Sequence, residues 1–181
     1  MKVRYFGGSE EDWAKFWLKR TGWKPTDVAK RIAEEHAPGK MVIADIGGGH
    51  GRDTLWLSEK GFYSILLEPN RHSLKFAKER VRRKKLTCEL VSSVLPYLPI
   101  RSEKVGIVDF YWTLHGIRDE DKQESLKEVG RILKPDGVLY STSFGYWEGH
   151  EMPDSIHPII DKEAFIKLHT QAGLKPTTEI E

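Results

Sequence analysis

Apolar and polar positions change their spacing several times along the chain, and each change marks a new element. Two amphipathic helices come first, about Glu10–Thr21 and Thr26–His36; in the first, Trp13, Phe16 and Trp17 recur at i, i+3 and i+4 on one face. Met41–Ile46 is a continuous apolar run broken only by Asp45, and it reads as a strand. Arg52–Lys60 reads as a helix stopped by Gly61, and Ser64–Glu68 as a second strand. A helix over Asn70–Lys84 keeps Leu74, Ala77 and Val81 on one face, and Thr87–Val91 and Val105–Tyr111 make a third and a fourth strand. The helix Asp119–Leu133 stops at Lys134–Pro135–Asp136–Gly137, a turn signal, before a fifth strand over Val138–Ser143. A last helix, Lys162–Ala172, ends at Gly173, and Leu174–Ile180 reads as a sixth strand.

Strands whose apolar runs are unbroken are buried on both faces, which calls for a parallel sheet covered by helices. Repeated strand–helix–strand units with right-handed crossovers then predict an α/β, doubly wound sheet. No repeat or linker divides the 181 residues. The expectation is one domain, with a helical cap over residues 1–38 and the core over 39–181.

Composition narrows the classes. The formal net charge is +2, so charge alone predicts neither a nucleic-acid nor a membrane partner. No apolar run approaches the roughly 18–20 residues of a membrane span, and no signal-peptide pattern opens the chain. Cys88 is the only cysteine, which excludes an internal disulfide and any cysteine metal site. These features predict a cytoplasmic protein. Asn70 is the only asparagine, and Gln123 and Gln171 the only glutamines, beside many Lys, Arg and Glu. Such scarcity of thermolabile amides predicts a thermophile source.

The densest signal is Val42–Leu57, VIADIGGGHGRDTLWL, with four glycines in five residues between a strand and a helix. In an open parallel sheet, ligands bind beyond the carboxyl ends of the strands. Bare backbone lets a ligand approach closely, and the start of the following helix offers unpaired amides. A dinucleotide loop would read G-x-G-x-x-G. Here the spacing is Gly47-x-Gly49-x-Gly51, and Arg52 stands where the third glycine belongs. Glu68, at the end of the second strand, offers two oxygens to the two hydroxyls of a ribose.

Val42–Gly51 resembles the first motif of the class I S-adenosylmethionine-dependent methyltransferases, an acid at a strand end followed by G-x-G-x-G. Leu67–Glu68–Pro69–Asn70 is similar to the second motif, and Leu114–His115–Gly116–Ile117 to the Leu-His-His segment after the fourth strand. Arg131–Leu139 looks like the family's turn into strand five. A match of Gly51–Arg52–Asp53 and Gly61–Phe62 to the small-molecule branch is weaker. The resemblance spans about residues 40–175 and implies a mostly parallel, Rossmann-like sheet. It also implies S-adenosylmethionine as cofactor, S-adenosylhomocysteine as product and a small-molecule methyl acceptor. The backbone at Gly47, Gly48, Gly49 and Gly51 would pass the methionine portion. Asp45 would organise the loop, Glu68 would hold the ribose, and Pro69 and Asn70 would flank the adenine. Phe110, Tyr111 and Trp112, with Asp109, would border the methyl group. Arg52 would either meet the methionine carboxylate or stand exposed. Where the family usually has an aspartate after strand three, this chain has Ser92 and Ser93; the acid that often opens strand four is replaced by Gly106.

Methyl transfer from a sulfonium requires alignment and exclusion of water, and a base only when the acceptor arrives protonated. His115, after strand four, and His150, after strand five, are candidate bases, with Asp109 the acid nearest the expected methyl. Tyr146 and Trp147, in the long aromatic loop Gly145–Pro158, are candidate acceptor contacts, as are Trp13 and Trp17 if the first helix acts as a lid instead of packing plainly onto the core. His150, Glu151, Asp154 and His157 lack the helical spacing of a metal site, so no metal is expected. The basic run Lys78–Lys85, KERVRRKK, has no interleaved aromatic residues for stacking bases and reads as a solvated helix face, so nucleic acid is not an expected partner. The family's sheet has seven strands, and this pattern supplies six. An uncovered edge in such a sheet invites pairing, which points to a homodimer.

Overall fold

The computed structural model describes residues 9–143, 157, 159 and 161–177. The helices are α1 Glu10–Thr21, α2 Asp27–Glu35, α3 Arg52–Glu59, α4 Arg71–Lys84, α5 Asp119–Ile132 and α6 Lys162–Gln171. The strands are β1 Val42–Ile46, β2 Tyr63–Leu67, β3 Cys88–Val91, β4 Val105–Phe110 and β5 Leu133–Ser141. Every pairing between these strands is parallel, in the order β3-β2-β1-β4-β5. The order reverses between β1 and β4, and the crevice at their carboxyl ends is where such a sheet takes a ligand.

Alternation along the strands sends successive residues to two cores. Ile43 and Ile107 pack with Ala29 and Ile32 of α2 and Leu57 of α3, while Ala44, Ile46, Val108 and Phe110 pack with Leu126, Val129 and Ile132 of α5. Helices therefore cover both faces, and all six residues of β4 are buried. The helix starts follow the sequence. Ser9 and Asp12 form a reciprocal capping box on α1, Thr26 caps α2, Asn70 caps α4 and Asp161 caps α6.

Most predicted bounds agree to within a residue, and two elements differ by more. The fifth strand starts at Leu133 rather than Val138. Val105 pairs with Leu133 and Ile107 with Val138, so Lys134–Gly137 form an excursion opposite Gly106. The turn chemistry is real, but it sits within a strand. Gly137 lets the excursion close, since a Cβ there would lie 2.8 Å from Leu133 Cδ2 and 3.2 Å from the Gly106 carbonyl. Gly106 has its own steric reason: a Cβ there would meet the Met41 side chain at 2.6 Å. The sheet has five strands among the described residues. Leu174–177 is not a strand; the Leu174 amide donates to the His169 carbonyl at 3.0 Å, past Gly173 at φ +82°. That hydrogen bond ends α6 as a reversing turn. The rest of the predicted sixth strand lies outside the described residues. No described helix is long and apolar enough to cross a membrane.

Candidate functional site

The glycine loop leaves β1 with three left-handed glycines, Gly47 at φ +73°, Gly49 at +61° and Gly51 at +78°. Their surroundings differ. A Cβ on Gly47 would lie 2.6 Å from Thr113 Cγ2, and one on Gly48 would fall inside the Asp45 carboxylate. A Cβ on Gly49 would meet nothing within 4 Å. The loop is thus packed from beneath at Gly47 and Gly48 and open at Gly49.

Glu68 closes the loop from the neighbouring strand. Its Oε2 accepts the Gly49 amide at 2.9 Å and its Oε1 the Asn70 amide at 2.8 Å. Burial pushes this carboxyl up to about 7, against the pull of the two amides. Asn70 is fully buried; its Oδ1 accepts the His72 and Ser73 amides at 3.0 Å and its Nδ2 donates to the Glu10 carbonyl at 2.8 Å. Its side chain is therefore committed to capping α4 and tethering α1, which leaves its backbone beside the site.

Asp45 lies under the loop. Its Oδ2 accepts the Thr54 hydroxyl at 2.6 Å and the Thr54 amide at 3.2 Å. Burial, then the nearby Asp53 charge, push it up to about 7. Asp53 is engaged by Thr26, whose amide donates at 2.7 Å and hydroxyl at 2.8 Å. Asp109 is the register partner of both Asp45 and Tyr140. It has no exposed surface, neither oxygen has a hydrogen-bond partner of good geometry, and the Tyr111 amide pulls only weakly against burial. Burial, then Asp45 and Asp53, push its carboxyl well above the usual range, which favours the neutral acid. Asp109 is thus fully buried at the carboxyl end of β4, beside Asp45.

Beyond β4 the chain turns sharply. Tyr111 and Trp112 stack at 5.0 Å between ring centroids, and the Arg52 guanidinium sits 5.3 Å from the Tyr111 ring centre. Trp112 has φ +52°, a costly conformation for a bulky residue that clusters at functional sites. Its amide donates to Thr142 Oγ1 at 3.1 Å, which ties the end of β4 to the end of β5. Phe110 is fully buried in the core under α5 and presents no side chain to the crevice. His115 is nearly buried in a short 3-10 turn, and burial, then the Lys122 charge, push it down to about 4. Its carbonyl accepts the His157 amide at 2.7 Å. Pro69 and Ser93 are half-buried and Ser92 is exposed; the Ser93 amide donates to the Glu68 carbonyl at 3.4 Å.

The first helix approaches the same end of the sheet through Glu10 and Asn70. Trp13 and Trp17 are half-buried and meet edge to face at 5.6 Å, Phe16 is 49% exposed, and Ala14 is the buried residue. Tyr146, Trp147 and His150 lie outside the described residues. Among the described residues, no three His, Cys, Asp or Glu side chains come together as a metal site.

Sequence reasoning missed four supporting side chains. Thr54 holds Asp45, Thr113 packs against Gly47 and donates to the Ile46 carbonyl at 2.7 Å, and Thr26 engages Asp53 from 27 residues away. His50, buried in the loop itself, bonds the Gly22 carbonyl at 2.6 Å and stacks edge-on against Trp23. Only Thr54 had a local signal, a hydroxyl in the first turn after the loop.

A model of the methyltransferase domain matches residues 44–141, more than half of the chain. A malonyl-(acyl-carrier protein) O-methyltransferase of Dechloromonas aromatica is 22% identical over 151 residues, covering 82% of this chain and 54% of that protein. Among solved structures, a SAM-dependent methyltransferase of Aquifex aeolicus superposes with TM-score 0.72 at 17% identity, over 92% of this chain and 89% of the other. The cyclase SpnF superposes with TM-score 0.71 at 18% identity, over 81% and 55%. The chain spans about half the length of the curated relative and of the cyclase. At these identities the structural likenesses establish the fold.

Proposed function

This chain belongs to the methyltransferase-domain family, and from that premise we propose that it transfers the methyl group of S-adenosylmethionine to a small-molecule acceptor. The observation that carries the reading is Glu68, held between the Gly49 and Asn70 amides beside the open space over Gly49. A carboxylate there still has lone pairs for the two hydroxyls of a ribose. The residues fit the cofactor: bare backbone at Gly47, Gly49 and Gly51 for the methionine portion, Pro69, the Asn70 backbone, Ser92 and Ser93 for the adenine. Arg52, whose guanidinium lies 5.3 Å from the Tyr111 ring centre, would meet the methionine carboxylate.

The bound cofactor would supply a methyl group on a sulfonium, whose departure needs no proton. Tyr111 and Trp112 would border that methyl and keep water away. His115 is the neutral imidazole at neutral pH, with one ring nitrogen protonated and the other able to accept, so it would serve as a weak acceptor or a dipole. Asp109, beside Asp45 on the neighbouring strand, would border the methyl site from within the sheet as the acid nearest it. Trp13, Trp17, Tyr146, Trp147 and His150 form the acceptor side, in a cytoplasmic enzyme from a thermophile that pairs as a homodimer.

A second reading, a cofactor-holding domain that transfers no methyl group, is favoured by one observation, serines in place of the acid after β3. Labelled S-adenosylmethionine incubated with thiol, hydroxyl, amine and chalcogen acceptors separates the two. Transfer to any acceptor supports the enzyme. Binding of S-adenosylhomocysteine with no transfer across the panel supports the second reading.

A further inference from the structure

Helix α4 carries a charge pattern that the cofactor site does not use. Arg71, Lys75, Lys78 and Arg82 are all exposed and fall at i, i+4, i+7 and i+11. At 3.6 residues per turn these positions lie within about 60° of arc, along about 16 Å of helix. No ion pair engages any of the four among the described residues; the pair α4 does make is Lys84 with Glu59. Arg80, on another side, is committed to Trp23, with its guanidinium 4.3 Å from the ring centre. Other exposed helices neutralise themselves, as Lys15 with Glu11, Lys30 with Asp27 and Lys127 with Glu124 do. Four like charges left in line repel one another at some cost to the helix.

We propose that this stripe of α4 docks an acidic helical surface of a partner protein. The mean spacing, about 5 Å along the axis, is that of carboxylates placed every three to four residues on a second helix, so the two rows match in register. The Phe76 ring within this span is half-buried and lies about 130° around the helix from the stripe, so it offers no platform there for stacking bases. Glu79 flanks the row, which disfavours a continuous phosphate polymer. The net charge of +2 gives no long-range attraction to a polyanion, so recognition rests on the local row. The stripe begins one residue past Asn70, whose amide holds Glu68. A partner lying along α4 therefore has one end at the mouth of the cofactor site.

The test uses the whole chain and three labelled probes in fluorescence anisotropy at 50 and 300 mM salt. They are a helical peptide with Glu at i, i+4, i+7 and i+11, the same peptide with Gln, and a 12-nucleotide single-stranded RNA. The Glu peptide should bind at least about tenfold more tightly than the Gln peptide and lose about tenfold at the higher salt. Lys75→Glu with Arg82→Glu should weaken it by a further tenfold or more, at an unchanged melting temperature. If that variant fails to fold, Lys75→Ala with Lys78→Ala replaces it, with a severalfold loss expected. Equal binding of the Glu and Gln peptides, tighter binding of the RNA, or unchanged affinity in the variants would overturn the proposal.

Discussion

Gly48 and Gly49 are neighbours, yet alanine at each should fail for a different reason. At Gly49 the backbone is left-handed and the space is open. Alanine there costs only the conformational strain, about 1 kcal/mol, which lowers the melting temperature of a chain this long by about 2–4 °C. The new methyl group, however, projects into the space assigned to the cofactor. A clash that the ligand cannot avoid should weaken S-adenosylhomocysteine about a hundredfold, or about 2.7 kcal/mol. At Gly48 the methyl would fall inside the Asp45 carboxylate, which Thr54 holds by two hydrogen bonds. Relief means expelling Asp45 from those bonds or distorting the loop, at about 3 kcal/mol and about 6–12 °C. Thermal melts and calorimetric titration of Gly48→Ala, Gly49→Ala and the parent read both quantities. A Gly49→Ala protein that binds within about threefold of the parent would refute the reasoning, because the open space would not be the cofactor's.

Three further outcomes follow from the same geometry. Glu68 and Asp45 are both pushed up to about 7 by burial, so the folded state holds their protons more tightly than the unfolded chain. Their contribution to stability is present below the ordinary carboxylate range and lost as pH rises through about 7, so melts of the ligand-free domain should fall between pH 5 and 8. S-adenosylhomocysteine, which needs ionised Glu68, should bind more tightly over that range, and Glu68→Gln should flatten the rise. Asp109 is raised by burial in the same sense, so Asp109→Asn should match the parent in melting temperature in acid and gain on it as pH rises above the usual carboxylate range, where ionising a fully buried acid weakens the parent. Arg131 donates to the Ile100 carbonyl at 2.8 Å and pairs with Glu128, whose Oε1 accepts the Leu98 amide. Arg131→Met should cost about 2 kcal/mol by freeing that segment, seen as a lower melting temperature with unchanged S-adenosylhomocysteine affinity.

The elements were legible because their signals are local. The bounds of α1 come straight from the Ser9–Asp12 box and Gly22, and β1 ends where Asp45 and the glycines begin. Glu68 stood out because an acid at the end of a strand has few structural uses. Pairing partners were not legible, since register links residues far apart in the chain. Nothing near Asp109 announces that Asp45 lies beside it, and nothing near Asp53 announces Thr26. Arg80 read as one more charge in a basic run until its position over Trp23 set it apart from Arg82. Lys134–Gly137 carries genuine turn chemistry, but only the pairing of Val105 with Leu133 shows that the strand has already begun.

The central claim is that the loop from Gly47 to Gly51, closed by Glu68, holds S-adenosylmethionine and not a dinucleotide. Calorimetric titration of the chain with S-adenosylhomocysteine and, separately, with NADH tests it most directly. The expected result is saturable, one-to-one binding of S-adenosylhomocysteine and no heat of binding with NADH. Binding of NADH, or of neither ligand, would contradict it.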